Sequence, residues 1–505
     1  MFRLDPAQAV LNHVTQRYGT IAPQLSAEAR AIAAAPIEPG FSASVISGVA
    51  QAIESLLLAA LGFAIFASYV EAGHASIYIP VIVAATLAAN VLFNAARTHR
   101  IIAYRTSLQQ IGRVLAMWSV VFTLLAVGIF LFKASDMVSR FWLVSWYAGG
   151  ALLLVAFRLS LRQLVLQWSR EGRLKRRTVI VGGGSDAEAL VEMIEKGAGN
   201  DIRLFGLFDD RDDIRSPESV AGLPKLGRVA DLLEFARQTR VDLVIVSMPL
   251  SAEKRVLEML TKLWVLPVDI RLSAHMSKLR FTSRAYSYLG DVPVFDMADR
   301  PISDWNLVFK WLFDKIVASI ALVLLSPIMV ATAIAIKLDS KGPVLFKQKR
   351  HGFNNELIEV YKFRSMRTDM VDVNAAKLVT KDDPRVTRVG RFIRKTSIDE
   401  LPQFFNVLTG QLSVVGPRPH ALQAKADNKL YYEAVEGYYA RHKVKPGITG
   451  WAQINGWRGE TDTVDKIMQR VQHDLYYIEK WSILLDAYIV LMTPISLFSK
   501  SDSAY

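Results

Sequence analysis

The chain has no cysteine. That excludes disulfides, thiolate metal sites and a cysteine nucleophile, though it does not by itself fix a compartment. The first 40 residues hold no short apolar core followed by a cleavage site, so no removable signal peptide is expected. Charge balance is also missing: 60 Lys and Arg face 47 Asp and Glu, leaving +13. Such an excess serves nucleic acid, anionic lipid or an anionic substrate. The basic residues flank apolar runs, which favours lipid and substrate; no nucleic-acid partner is expected.

Apolar residues are plentiful, at 51%, and bunched, with a mean hydropathy of +0.23. Four runs, Ile46–Val70, Ile77–Leu92, Val114–Phe132 and Phe141–Phe157, each approach the length a bilayer core requires. The second is short and contains Pro80. Arg97, Arg100, Arg105 and Arg113 fill the loop after the second run, and Arg158, Arg162, Arg170, Arg173, Lys175, Arg176 and Arg177 follow the fourth. By the positive-inside rule both chain ends are expected to face the cytoplasm. Glu54 and Asn90 are the obvious polar residues deep in these runs and are expected to hydrogen-bond within a helical bundle.

Next, Thr178–Val181 reads as a strand turning through Gly182-Gly183-Gly184 into a helix from Glu188 to Lys196. Later apolar runs at Leu204–Phe208 and Val241–Val246 continue the alternation and predict a parallel α/β domain. Gly182-x-Gly184-x-x-Ala187 fits the loose dinucleotide spacing, with Asp209 and Asp210 placed to meet a ribose. The same glycines equally serve a tight strand-to-helix turn.

A fifth run, Trp311–Ile336, is long enough to span a bilayer, but Ser326-Pro327 lies at its centre. Cations sit at both ends: Lys310 and Lys315 before, Lys337 and Lys341 after. A straight span puts one cluster on the disfavoured side, whereas a helix broken at Ser326-Pro327 returns both ends to the cytoplasm. The residues alone leave both readings open.

The segment after Asp339 interleaves cations with apolar side chains, as at a headgroup interface. Within it, Lys362, Arg364 and Arg394 bracket the adjacent carboxylates Asp399 and Glu400. Ser397-x-x-Glu400 is also a capping-box pattern, and Pro402 fits a helix that starts near Asp399. A helix N-terminus and Arg394 would hold Asp399 ionised as a nucleophile, and Glu400 could bind the Mg²⁺ that neutralises a diphosphate.

These residues carry a resemblance. Lys310–Asp314, Ser326-Pro327, Phe346–Gly352, Tyr361–Met366, Thr387–Asn406, Ser413–Pro419, Arg441–Asn455 and Asp474–Asp486 are similar, in order, to the bacterial sugar transferase family, the monotopic phosphoglycosyl transferases. The layout resembles its long-form members. It implies a membrane protein combining α and α/β parts: an N-terminal segment (1–45), a four-helix transmembrane bundle (46–160), a Rossmann-like domain (177–297) and a mainly helical catalytic domain (305–505) with a re-entrant helix at 311–337. The implied reaction moves hexose 1-phosphate from a UDP-sugar to undecaprenyl phosphate, releasing UMP, as the first membrane step of surface-glycan synthesis. Asp399 would form a covalent phosphosugar intermediate, and Glu400 would bind Mg²⁺. Arg394 and Lys362 would steady phosphates, and Arg418, between Pro417 and Pro419, would contact the nucleotide. Arg364 and Arg350 lie in matching stretches and join the substrate-binding set. Segment 456–463 resembles the glucose branch rather than the galactose one, and a homodimer is expected from long-form relatives.

Two other classes compete. Membrane-anchored, NAD-dependent nucleotide-sugar dehydratases also follow four helices with a Rossmann domain, and Tyr476-x-x-x-Lys480 matches a dehydrogenase dyad. It lies beyond the fifth apolar run, however, and far from Gly184. A non-enzymatic scaffold would explain the bundle and leave the charged segment without a use.

Overall fold

The computed structural model describes residues 25–35, 40–99, 101–105, 107–134, 136–196, 201–211, 218–248, 252–273, 287–289, 292–368, 383–420, 424–427, 429–435, 437–459 and 463–499. The chain forms two compact units, one comprising Ile37–Arg176 with Ala198–Arg203 and the other the remainder.

In the first unit, α1 (Ala43–Tyr69), α2 (Ala75–Ala95), α3 (Ser107–Leu131) and α4 (Arg140–Arg170) are each apolar and long enough to cross a bilayer. Ser42 and Ser139 cap α1 and α4 by accepting from Val45 and Trp142 N–H, and α2 continues helically past Pro80. Trp118, Trp142 and Trp146 fill the centre. Their size is met by close helix approach: a Cβ on Gly62 would stand 2.7 Å from the Trp146 ring. Glu54 does bond within the bundle, accepting from Arg158 Nε and Nη2 at 3.1 and 2.8 Å, with His99 Nε2 at 2.7 Å. Asn90 likewise donates to Ser55. Outward side chains such as Leu56, Leu124 and Leu152 are apolar and exposed, as in a membrane-associated protein.

In the second unit, β1 (Arg176–Val181), β2 (Ile202–Phe208), β3 (Ser219–Val220), β4 (Leu223–Gly227), β5 (Leu243–Val246), β6 (Asp269–Ser273), β7 (Ser287–Leu289) and β8 (Val292–Ala298) form one sheet in the order β3-β4-β2-β1-β5-β6-β8-β7. The β1–β5, β5–β6 and β2–β4 pairs are parallel, but β3–β4, β6–β8 and β7–β8 are antiparallel. The expected parallel sheet is therefore mixed: β1, whose Thr178–Val181 half is buried, and the wholly buried β5 pair in parallel, while the two-residue connections of β3–β4 and β7–β8 allow only antiparallel pairs. The helix Ala27–Ala34, which no pattern announced, packs Ala29 and Ala33 into this domain's core.

α5 (Asp304–Asp339) is a fifth helix of bilayer-crossing length, and it runs helically through Pro327. Ser326 Oγ donates to Val323 O at 2.8 Å. Near its start, Lys310 Nζ donates to Asp486 Oδ2 at 2.6 Å and Val415 O at 2.9 Å, and Asp314 accepts from Ser413 Oγ and Val414 N. At its end, Asp339 accepts from Val389 N–H, and Ile336 packs with Phe363 and Ile393. A hairpin (Leu345–His351 with Leu357–Phe363), a parallel ladder (Ser413–Val415 with Gly447–Thr449) and helices Val464–Glu479 and Ile483–Ser499 complete this region.

Candidate active site

Asp399 and Glu400 lie on a single 3₁₀ turn, Ile398–Glu400, between the helices Arg388–Lys395 and Gln403–Thr409. The helix expected from Asp399 begins instead at Gln403, with Pro402 as its N-cap. The capping box does not form. Ser397 adopts a left-handed φ of +59° and makes no cap bond, and its Oγ accepts from Arg458 Nη2 at 2.6 Å. The Glu400 carboxylate has stronger partners than a backbone N–H. Its Oε1 accepts from Lys362 Nζ at 2.8 Å and Arg418 Nη2 at 2.6 Å, and its Oε2 from Arg418 Nη1 at 3.1 Å.

The two neighbours thus differ in chemistry. Among the described residues the buried Asp399 carboxyl makes no hydrogen bond, so its oxygens are free. Burial and the Glu400 charge push Asp399 up to about 6 against the pull of Lys362, Arg394 and Arg418. Arg394 does pull Asp399 toward the ionised form as expected, but the expected helix terminus lies at Gln403 instead, and burial outweighs the cations. Burial also works to raise Glu400, but Arg418 and Lys362 overwhelm it and hold that carboxyl well below its usual range. Burial pulls Lys362 down, and Glu400 draws Arg418 up.

Arg418 is delivered by a tightly built corner. The ladder strand Ser413–Val415 ends at Gly416, where a Cβ would stand 2.4 Å from Lys445 O, so only glycine permits the approach. Pro417 O accepts from Gly447 N–H at 3.0 Å, Pro419 O from Arg350 Nη1, and Arg418 O from Arg441 Nη2 at 2.8 Å. Arg441 also binds Asp474 Oδ2 through Nε and Nη2 at 3.0 and 2.6 Å and has His420 Nδ1 2.7 Å from Nη1. Burial, with Arg441, Arg470 and other neighbouring cations, keeps His420 well below its ordinary value and therefore neutral.

Of the residues singled out by sequence, Asp399, Glu400, Lys362 and Arg418 converge, and Arg394 and Arg350 lie within electrostatic reach of Asp399. Arg350 braces Pro419 and Gln348, and burial beside Arg418 lowers it to about 10. Arg364 does not join them. Its Nη2 donates to Ser340 O at 2.8 Å and its Nη1 to Lys341 O and Thr368 Oγ1, clamping the chain just past the end of α5. Arg441 and Arg458 were not assigned a role by sequence: the Arg441–Asp474 pair joins positions 33 apart, and nothing local signals it. Glu460, Thr461 and Asp462 of the glucose-like segment lie outside the described residues.

In the α/β domain, Gly182 and Gly184 have φ of +101° and +87°, as the turn requires. Asp209 does not stand open for a ribose: its Oδ2 accepts from Gly183 N–H at 2.8 Å, and Arg211 Nη2 donates to Gly183 O at 3.1 Å. Asp210 accepts from Val229 N–H and Lys262. Tyr476 of the dehydrogenase-like pair stacks on Trp451 in the C-terminal region.

Known proteins are similar to this chain in sequence. The sequence model for bacterial sugar transferase matches residues 305–500, and one for a CoA-binding domain matches 95–274. The UDP-glucose:undecaprenyl-phosphate glucose-1-phosphate transferases of Klebsiella pneumoniae and Xanthomonas campestris pv. campestris are 39% and 37% identical over 75% of this chain, covering 80% and 78% of their own lengths. The undecaprenyl-phosphate glucose phosphotransferase of Komagataeibacter xylinus is 44% identical over 64% of this chain, which spans 59% of that protein. With that coverage of its relatives, the chain belongs to the bacterial sugar transferase family.

Proposed function

We propose that the chain transfers glucose 1-phosphate from UDP-glucose to undecaprenyl phosphate and releases UMP. The observation that carries this reading is the split dyad, a free Asp399 carboxyl beside a Glu400 tied to Lys362 and Arg418. An Asp399 oxygen attacks the β-phosphorus, the bond to the bridging oxygen breaks, and UMP leaves with the electron pair. A phosphate oxygen of the lipid then attacks the same phosphorus, and Asp399 leaves as carboxylate, giving the lipid diphosphate sugar. Each displacement uses one phosphoryl centre, so the soluble and lipid substrates need not be bound together. Lys362 and Arg418 balance the charge that develops, and Arg418 holds the nucleotide.

Among the described residues no group of three or more His, Asp or Glu side chains converges. Mg²⁺ commonly takes one or two carboxylates with waters and substrate phosphates, and the dyad supplies that donor set. Glu400 would hold it, and bound Mg²⁺ would neutralise diphosphate charge.

The re-entrant form of α5 is part of the same proposal. A straight helix of 36 residues measures about 54 Å. Yet Lys310 and Asp314 near one end, and Ile336 and Asp339 near the other, are fastened to one catalytic domain, while Val323 and Leu324 between them are exposed. A helix bent at Pro327 and dipping into one leaflet satisfies both, places the dyad at headgroup depth and keeps the domain cytoplasmic. Release of UMP from a panel of UDP-sugars, with and without undecaprenyl phosphate, tests the reading. Lipid-dependent turnover with UDP-glucose supports it, and no turnover with any sugar refutes it.

A further inference from the structure

The α/β domain and the catalytic domain meet at a six-residue helical turn, Tyr438–Lys443. On its α/β side, the Lys443 ammonium lies 4.2 Å from the centroid of the Trp264 ring, and Arg237 stands 6.0 Å over Tyr439. Nearby, Asn354 Nδ2 donates to Ala236 O at 2.7 Å, and Asn355 reaches His442, whose ring stacks on His351. The same turn carries Arg441, fully buried, which grips Asp474, His420 and the Arg418 carbonyl. In so short a turn, Tyr439, Arg441 and Lys443 share one rigid backbone. The contact that fixes Lys443 therefore also fixes the donor that holds Arg418.

We propose that the α/β domain acts as a brace for the nucleotide site, with Trp264 a positioning residue that works through Lys443 and Arg441 on Arg418. The inference rests on Arg418 as the nucleotide contact of the proposed reaction. It gives the middle domain a use that needs no ligand of its own, in keeping with a glycine loop closed by Asp209 and Arg211. Removing the ring leaves a buried ammonium without its aromatic face and lets the turn shift; an aromatic replacement keeps both packing and attraction.

The test uses the full chain in detergent or nanodiscs, with UDP-glucose, undecaprenyl phosphate and Mg²⁺. In Trp264→Ala, KM for UDP-glucose and the inhibition constant of UMP rise together, about three- to tenfold, with any fall in kcat accompanying that rise. Trp264→Phe returns both toward the parent values. Unchanged KM and UMP inhibition in folded Trp264→Ala overturn the brace, as does a loss confined to kcat. If that variant does not fold, Lys443→Met, which keeps most of the apolar volume, carries the test. The same rise is expected, and unchanged values overturn it. Arg418→Ala in parallel separates the failures. If its KM is unchanged, the nucleotide role of Arg418 falls; if its KM rises while the Trp264 and Lys443 variants match the parent, only the brace falls.

Discussion

Two carboxylates side by side in a poorly solvated turn cannot both stay ionised without cations to divide between them. Here Glu400 takes Lys362 and both forks of Arg418, and Asp399 keeps its oxygens free at an acidity near 6. Asp399→Asn is expected to abolish UMP release while membrane insertion and thermal unfolding stay as in the parent; substantial residual turnover would remove the nucleophile. In the proposed reaction Asp399 attacks as the anion, so kcat/KM for the UDP-sugar should climb with pH through about 6 and level off above it. A flat profile from pH 5 to 8 would contradict the assignment. Arg418→Ala should raise KM for the nucleotide sugar about tenfold or more, equivalent to about 1.4 kcal/mol, in steady-state assays. Sequence marked the dyad and Lys362 because they cluster in one compact charged segment, and Arg418 through the family resemblance and its bracketing prolines. It could not separate Arg364, which bonds to Ser340, Lys341 and Thr368 beyond α5, from the dyad's cations, because a helix-end clamp and a phosphate clamp use the same side chain. It misread Ser397-x-x-Glu400 because the left-handed backbone at Ser397 and the pull of two distant cations leave no local trace.

Among the elements, α5 decides how the site meets the membrane. Its apolar length and central proline were plain in the sequence, but only the fastening of both ends to one domain favours a bend over a span. The cysteine-free chain makes this directly measurable. Single substitutions Asn306→Cys in the first turn of the helix and Lys341→Cys just beyond its end, both at exposed positions, should react with a membrane-impermeant maleimide from the same, cytoplasmic side. Labelling from opposite sides would make α5 a plain span. The antiparallel edges of the α/β sheet were less legible, since strand direction depends on connection length and on pairings between distant segments, not on the apolar runs themselves.

At the scale of the whole molecule, the excess of 60 Lys and Arg over 47 Asp and Glu suits the proposed reaction, whose diphosphate substrate, lipid phosphate and anionic leaflet all carry negative charge. Chelation with EDTA should abolish turnover, and Mg²⁺ should restore it; activity that survives chelation would leave Glu400 as a partner of Lys362 and Arg418 alone. The central claim, that Asp399 carries the sugar phosphate between two substrates, is tested most directly with no lipid present. The account predicts that the protein, given UDP-glucose and Mg²⁺, releases a stoichiometric burst of UMP and gains one glucose phosphate on Asp399, detectable by mass spectrometry and absent in Asp399→Asn. UMP release only when undecaprenyl phosphate is added, with no adduct on the protein, would contradict it in favour of direct transfer.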